Sequence, residues 1–364
     1  MKKAIKIMGI TLLSVIGVLL VAIAILALNS PGKLEQLKDN EGNLIANSLT
    51  EKQYIEIGGI KQGFFLCSEN PENPVILFLH GGPGSPELAL FYRFEISERL
   101  EKYFTVCYWE QRGSGMSFSN KIDPNTMTLE QMVEDTRQIT EYLKHRFNQE
   151  KIYLMGHSWG SVLGIKTIEK HPENYLAYIG IGQVSNPLRS EKLSYDYMLQ
   201  HAMEINDKSA VRKLEKFNSN ASDFPTMKYI ITVRSQLMNK YGIGIMHENF
   251  SKAGEKNILS FKGYTLIEKI KYFQGMLFSV KHLWDNAISD NLFESSISFK
   301  VPVYIIHGKH DYQVSYALSH EYIEIIEAPD KSFFSFENSA HSPNFEEPEK
   351  FVQIIRQIAS RSEN

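Results

Sequence analysis

Residues Lys151–His171, "KIYLMGHSWGSVLGIKTIEKH", decide how this chain is read. Lys151–Gly156 is an apolar, strand-like run, Ser161–His171 has a helical pattern, and between them Ser158 sits between Gly156 and Gly160. A strand that turns sharply into a helix lifts the residue at the turn clear of the sheet edge, and small flanking residues let the backbone turn without a clash. A serine between two glycines is by itself ordinary turn chemistry. Its meaning depends on what the rest of the chain brings to the same sheet edge.

Outward from this stretch the pattern repeats. "NPVILFLHGGPGS" (73–85), "YFTVCYWEQRGSG" (103–115), "YLAYIGIGQV" (175–184), "VPVYIIHG" (301–308) and "SFFSFENS" (332–339) each begin as apolar strands. Helical runs separate them: "TLEQMVEDTRQITEYLKHRF" (128–147) with Thr128 as N-cap, "YALSHEYIEII" (316–326) and "PEKFVQIIRQIAS" (348–360). "QYIEIGG" and "IKQGFFLCS" around Gly58 and Gly59 form a hairpin signal. Strand and helix in alternation predict a mostly parallel sheet with helices on both faces. From 185 to 297 the alternation gives way to helical segments rich in methionine and aromatics, which predicts a helical cap over the sheet's C-terminal edge, where ligands bind in open α/β folds.

Composition limits the function classes. The chain has 364 residues, a formal net charge of -3 and 22% charged residues, so nothing in its charge favours nucleic acid as a partner. Cys67 and Cys107 lie in strand-like runs without ligand spacing and predict two buried thiols, with no metal site and no cofactor called for. Ile7–Leu28 carries no charge and follows Lys2, Lys3 and Lys6. At ~1.5 Å per residue it is long enough for a hydrocarbon core of roughly 30 Å. Residues 1–30 are therefore expected to be an uncleaved membrane anchor with the rest of the chain outside the cytoplasm. The competing reading is a secretory signal, disfavoured because the A-x-A at Ala22–Ala24 lies inside the apolar run. Residues 31–50 read as a tether, 51–184 as the first part of the α/β unit, 185–297 as the cap and 298–364 as the second part.

A serine hydroxyl is a poor nucleophile at neutral pH and needs an imidazole to take its proton and a carboxylate to orient that imidazole. Asp311 in "HGKHDYQV" and His341 in "ENSAHSPNF" each follow a strand, so both are expected at the edge that holds Ser158. His157 should point away within the turn. His307 and His310 beside Asp311 lack an evident third ligand nearby for a metal. Acyl transfer also needs donors for an oxyanion. The backbone N–H of Trp159 is one candidate, and the "HGGPG" loop, His80–Gly84, should supply the other.

Taken together, "HGGPG", "WEQRGSGMS" (109–117), "GHSWGS" (156–161), Asp311 and His341 resemble the α/β-hydrolase superfamily and, within it, the proline iminopeptidase family. The resemblance implies a catalytic triad of Ser158, Asp311 and His341 and oxyanion donors from Gly82 and Trp159. It implies a small peptide substrate whose N-terminal residue, proline or similar, is released. The family's Asp-Gln-Arg-Gly is Glu110-Gln111-Arg112-Gly113 here, and an ion pair between Glu110 and Arg112 is expected to persist. Family enzymes hold the substrate's free amine with acidic cap residues. The cap offers Glu191, Glu204, Asp207, Glu215, Asp223, Glu248 and Glu268, of which Glu248 in "MHENF" faintly matches a family segment. An esterase or lactonase acting on small apolar acyl groups is the alternative, and a non-catalytic ligand-binding relative stands behind both.

Overall fold

The computed structural model describes residues 2–39, 41–91, 98–244, 246 and 256–362. One eight-stranded sheet runs in the order β1-β2-β4-β3-β5-β6-β7-β8. Its strands are β1 (Leu49–Ile57), β2 (Ile60–Ser68), β3 (Val75–Leu79), β4 (Thr105–Trp109), β5 (Ile152–His157), β6 (Tyr175–Ile181), β7 (Val303–Gly308) and β8 (Lys331–Phe336). The hairpin β1–β2 turns at Gly58 and Gly59, both with positive φ, and joins β4 antiparallel. Every later pairing is parallel.

The apolar runs are continuous because β3, β5 and β7 are buried along their whole length. Val75, Leu77 and Leu79 face one side and pack with Met132 and Leu143 of α3 (Leu129–Phe147) and Leu163 of α4 (Trp159–Lys170). Ile76 and Phe78 face the other and pack with Phe351, Ile355 and Ile358 of the helix Pro348–Ser362. Each such side chain contributes roughly 1.5–3 kcal/mol when fully buried. The Thr128 hydroxyl caps α3 by accepting from the Gln131 N–H at 3.1 Å. Cys67 and Cys107 are buried free thiols.

Between β6 and β7 lie the cap helices, which include α5 (Pro187–Glu204) and the long helix Leu266–Ser289. Tyr195, Met198, Leu214, Tyr229 and Leu237 form a separate apolar cluster there, so part of the cap's apolar content is spent on its own core.

The N-terminal stretch forms one helix, α1 (Lys2–Leu28), on which Met8, Leu13, Val18, Leu20 and Val21 are exposed. Among the described residues, no helix is long and apolar enough to cross a membrane, so the membrane-spanning helix expected within residues 1–30 is not found among them. Ser30, at the end of the expected anchor, is buried, and in the stretch expected to be a tether Leu34 is buried and packs with Phe65, Phe261 and Tyr264. The Lys269 ammonium donates to the Asn29 carbonyl at 3.0 Å, and the Lys33 N–H donates to Lys262 O at the same distance.

Candidate active site

Ser158 stands between the end of β5 and the start of α4 with φ 55° and ψ -121°, a backbone conformation that costs a non-glycine residue energy and persists only where the surroundings enforce it. The flanking glycines enforce it by close approach. A Cβ on Gly156 would lie 2.3 Å from Gly160 O, and one on Gly160 would lie 2.1 Å from Leu79 O. The turn is pinned by the Ser158 N–H donating to Ile181 O at 3.0 Å.

Asp311 follows β7 and His341 follows β8, and the two meet. His341 Nδ1 donates to Asp311 Oδ2 at 2.7 Å, and His307 Nε2 donates to the same oxygen at 2.9 Å. Asp311 Oδ1 accepts the N–H groups of Gln313 and Val314 at 2.9 and 2.8 Å. Burial alone would raise the Asp311 pKa, but the two imidazoles outweigh it and hold the carboxylate well below its ordinary range. Burial lowers the His341 pKa against the pull of Asp311, and the neighbouring His157 and His307 add to the lowering. His341 Nε2 is buried and has no hydrogen-bond partner among the described residues. His310, by contrast, turns outward to Glu337 O.

The "HGGPG" loop is held by the segment after β4. His80 Nδ1 donates to Gly81 O, while its Nε2 accepts from the Gln111 N–H at 3.1 Å, and burial lowers its pKa to about 4, keeping the ring neutral. Gln111 spans two parts of the site: its amide donates to His80 O at 2.9 Å, and its Oε1 accepts the Trp159 indole N–H at 3.0 Å. Gly82 has φ +119°, a region closed to other residues, and a Cβ there would lie 2.6 Å from Gly84 N.

The expected Glu110–Arg112 ion pair does not form. Arg112 instead pairs with Asp135 on α3, Nε to Oδ2 at 2.7 Å, and donates to Gly58 O at 2.8 Å. Glu110 turns the opposite way and accepts from the Tyr264 hydroxyl and the Met116 N–H, both at 2.5 Å. The two side chains diverge because the chain leaves the strand after Trp109, and Asp135 offers Arg112 two oxygens in the geometry its fork requires.

A cavity of about 90 Å³ opens onto Ser158 and is lined also by Gly82, Pro83, Trp159 and the apolar Val162, Val184 and Val314. Glu191, Arg234 and Trp284 form its cap side. Of the described cap acids, only Glu191 lines this cavity. Its two oxygens both accept from Arg234 Nε, at 2.7 and 2.8 Å. Asp207 caps the helix Lys208–Leu214 and pairs with Lys240, and Glu268 closes a capping box with Thr265 and pairs with Lys52. Glu248 lies outside the described residues.

Sequence reasoning passed over Glu87 and Arg234. Glu87, the first residue of α2 (Glu87–Phe91), accepts from the Gly81 N–H at 3.1 Å and contacts His157 Nδ1. No local pattern marks either residue, since each matters only through a partner distant in the chain.

A fold of this topology, with a serine turn after β5 and the Asp311–His341 pair beyond β7 and β8, matches the family pattern described as "alpha/beta hydrolase fold" across residues 74–348. The chain belongs to this family and is a hydrolase. It is 35% identical over 318 residues to "Probable aminopeptidase YbaC" of Bacillus subtilis, covering 86% of this chain and 97% of the relative. It is 26% identical to the proline iminopeptidase of Saccharolobus solfataricus, covering 85% of this chain and 92% of that one. The crystal structure of a proline iminopeptidase from Mycobacterium smegmatis superposes with a TM-score of 0.59 at 14% identity, over 86% of this chain and 98% of that one, which is a likeness of fold.

Proposed function

We propose that the protein is a serine hydrolase in which Ser158 attacks a carbonyl carbon, His341 takes the hydroxyl proton and Asp311 holds the resulting imidazolium. The observation that carries this reading is the state of His341. Its Nδ1 is committed to an ionised carboxylate, while its Nε2, the nitrogen that must accept a proton, is buried and has no partner among the described residues. Gly82 and Trp159 on the same cavity wall suit the oxyanion role through their backbone N–H groups. His341 then returns the proton to the leaving amine or alkoxide, and water releases the acyl group from Ser158.

The substrate we propose is a peptide whose N-terminal residue is released, proline or another small residue. The names of the relatives support this, and so does the small cavity. One observation favours the second reading, an esterase or lactonase on small acyl groups: Glu191, the described carboxylate at the cavity, is already engaged by Arg234, whereas a bound ammonium needs a carboxylate of its own. Turnover of a proline arylamide against short-chain aryl esters separates the two. Peptidase action requires arylamide turnover that N-acylation abolishes, and ester turnover with an untouched arylamide would reverse the assignment. Lack of any fluorophosphonate adduct at Ser158 in folded protein would leave only a ligand-binding role.

We also propose that the N-terminal segment associates with a membrane, supported by the charge-free run Ile7–Leu28 and the exposed apolar side chains along α1. The protein should then resist high-salt extraction and need detergent for release. A soluble product lacking roughly the first 25 residues would instead indicate signal cleavage.

A further inference from the structure

We propose that Glu87 and His157 are positioning residues for His341: a buried carboxylate–imidazolium pair that joins the glycine loop, the serine turn and the histidine loop, and sets a fixed positive charge against the His341 ring. The inference rests on the roles proposed above for Ser158 and His341.

His157 ends β5, one residue before Ser158, and is buried together with Glu87. Its Nδ1 meets Glu87 Oε1, and its Nε2 lies 2.9 Å from the His341 carbonyl oxygen. A carbonyl oxygen can only accept, and Glu87 Oε1 already accepts the Gly81 N–H at 3.1 Å. A neutral imidazole has one N–H to give, and donating to both oxygens takes two. A proton parked on Glu87 Oε2 would be stranded, since that atom is buried without a hydrogen-bond partner among the described residues. The proton shared by Nδ1 and Oε1 is drawn to the ring because the Gly81 N–H, donated to Oε1, favours the carboxylate form. Burial opposes it, but the Glu87 carboxylate outweighs burial and holds the His157 pKa above its ordinary value.

The pair acts in two ways. Through one carboxylate it links Gly81, whose missing Cβ would lie 3.0 Å from Ser158 Cβ, to His157, and His157 in turn fixes the backbone of His341. Gly182 also packs closely against His341, since a Cβ there would lie 2.9 Å from its Nδ1. The second action is electrostatic. The His157 and His341 rings are tilted by 41° with centroids 4.8 Å apart. Asp311, from the loop after β7, draws a proton onto His341, while His157 from β5 opposes a second imidazolium beside it. His307 of β7 shares Asp311 Oδ2, and Glu87 from α2 lies beyond His157. A base must be unprotonated to take the proton of Ser158, and a like charge at ring-contact distance favours that form.

The test is the rate of Ser158 labelling by a fluorophosphonate against pH, for the full-length chain and its His157→Gln variant, alongside ring-nitrogen NMR of the unsubstituted protein. The acid limb of labelling should lie below the ordinary histidine value of about 6.5 and move up by roughly 0.5–1 pH unit in His157→Gln. His157 should show both ring nitrogens protonated at pH values above its ordinary pKa of about 6.5, and Glu87→Gln should return its ring to ordinary titration. A uniform fall in rate with an unmoved acid limb would reduce His157 to a structural hydrogen bond and overturn the proposal. So would a singly protonated His157 ring, a readout that needs no variant to fold. If the unsubstituted protein is not labelled at all, the Ser158 mechanism fails, and the NMR result alone then decides the ion pair.

Discussion

Arg112 and Asp135 form a two-pronged ion pair, Nε to Oδ2 at 2.7 Å and Nη2 to Oδ1 at 3.0 Å, with 1% and 0% of their side chains exposed. The pair ties the segment after β4 to α3 and, through Gly58 O, to the β1–β2 turn. Removing one partner strands the other charge in the interior. Asp135→Asn is expected to lose about 3–5 kcal/mol in denaturant unfolding. A loss below about 1 kcal/mol would show that water reaches Arg112 and that the joint is not closed.

Gln111 makes no contact with a reacting atom yet holds both walls of the expected oxyanion site, His80 O on one side and the Trp159 indole on the other. Gln111→Leu should lower kcat roughly 10- to 100-fold with a smaller change in KM, because misplaced donors weaken the transition state more than ground-state binding. Steady-state kinetics on whichever reporter substrate is turned over would test this, and a change confined to KM would contradict it.

Asp311→Asn should cost roughly 10^3- to 10^4-fold in kcat, through loss of the charge that holds His341 in its working tautomer. The pH sign follows from the lowered His341 pKa. The ring is neutral and competent above its folded value, so kcat/KM should fall only as pH drops through a point below about 6.5. An acid limb above that point would show that Asp311, and not burial, dominates the ring.

Glu110 predicts a pH dependence of stability with the opposite sign to the usual acidic residue. Burial, despite the hydrogen bonds from Tyr264 and Met116, pushes its pKa up to about 8. A raised folded pKa means that the folded protein holds this proton more tightly than the unfolded chain. The stability it contributes is complete below the ordinary carboxylate range and is lost as pH rises through about 8. Glu110→Gln should therefore gain in Tm relative to the unsubstituted protein between about pH 5 and pH 9. A Tm difference independent of pH would mean that the carboxyl is ionised throughout.

Much of this was legible because it is local. Val75–Leu79, Ile152–His157 and Val303–Gly308 are continuous apolar runs, and a strand buried on both faces writes itself that way. Thr128 caps α3 through an atom three residues from its partner. Ser158, Asp311 and His341 could be found because each follows a strand, and parallel strands deliver their ends to one edge. What stayed hidden is pairing across the chain. Arg112 had a carboxylate two residues away and chose one 23 residues on, since side-chain direction, and not proximity in sequence, decides which charges meet. Of the seven cap acids only Glu248 carried a sequence signal, and it lies outside the described residues. Asp207 and Glu268 prove to be occupied with capping and ion pairs, and Glu191 reaches the cavity already matched with Arg234.

The chain emerging from α1 has no slack. Within six residues of Leu28 it is bonded to Lys269 through Asn29 and wedged between Phe65 and Tyr264 by Leu34. Lys269 belongs to the first turns of the cap helix Leu266–Ser289, whose later residue Trp284 lines the cavity at Ser158. One helix thus carries the bond to the N-terminal segment in its first turn and a residue lining the mouth of the cavity in its last turns.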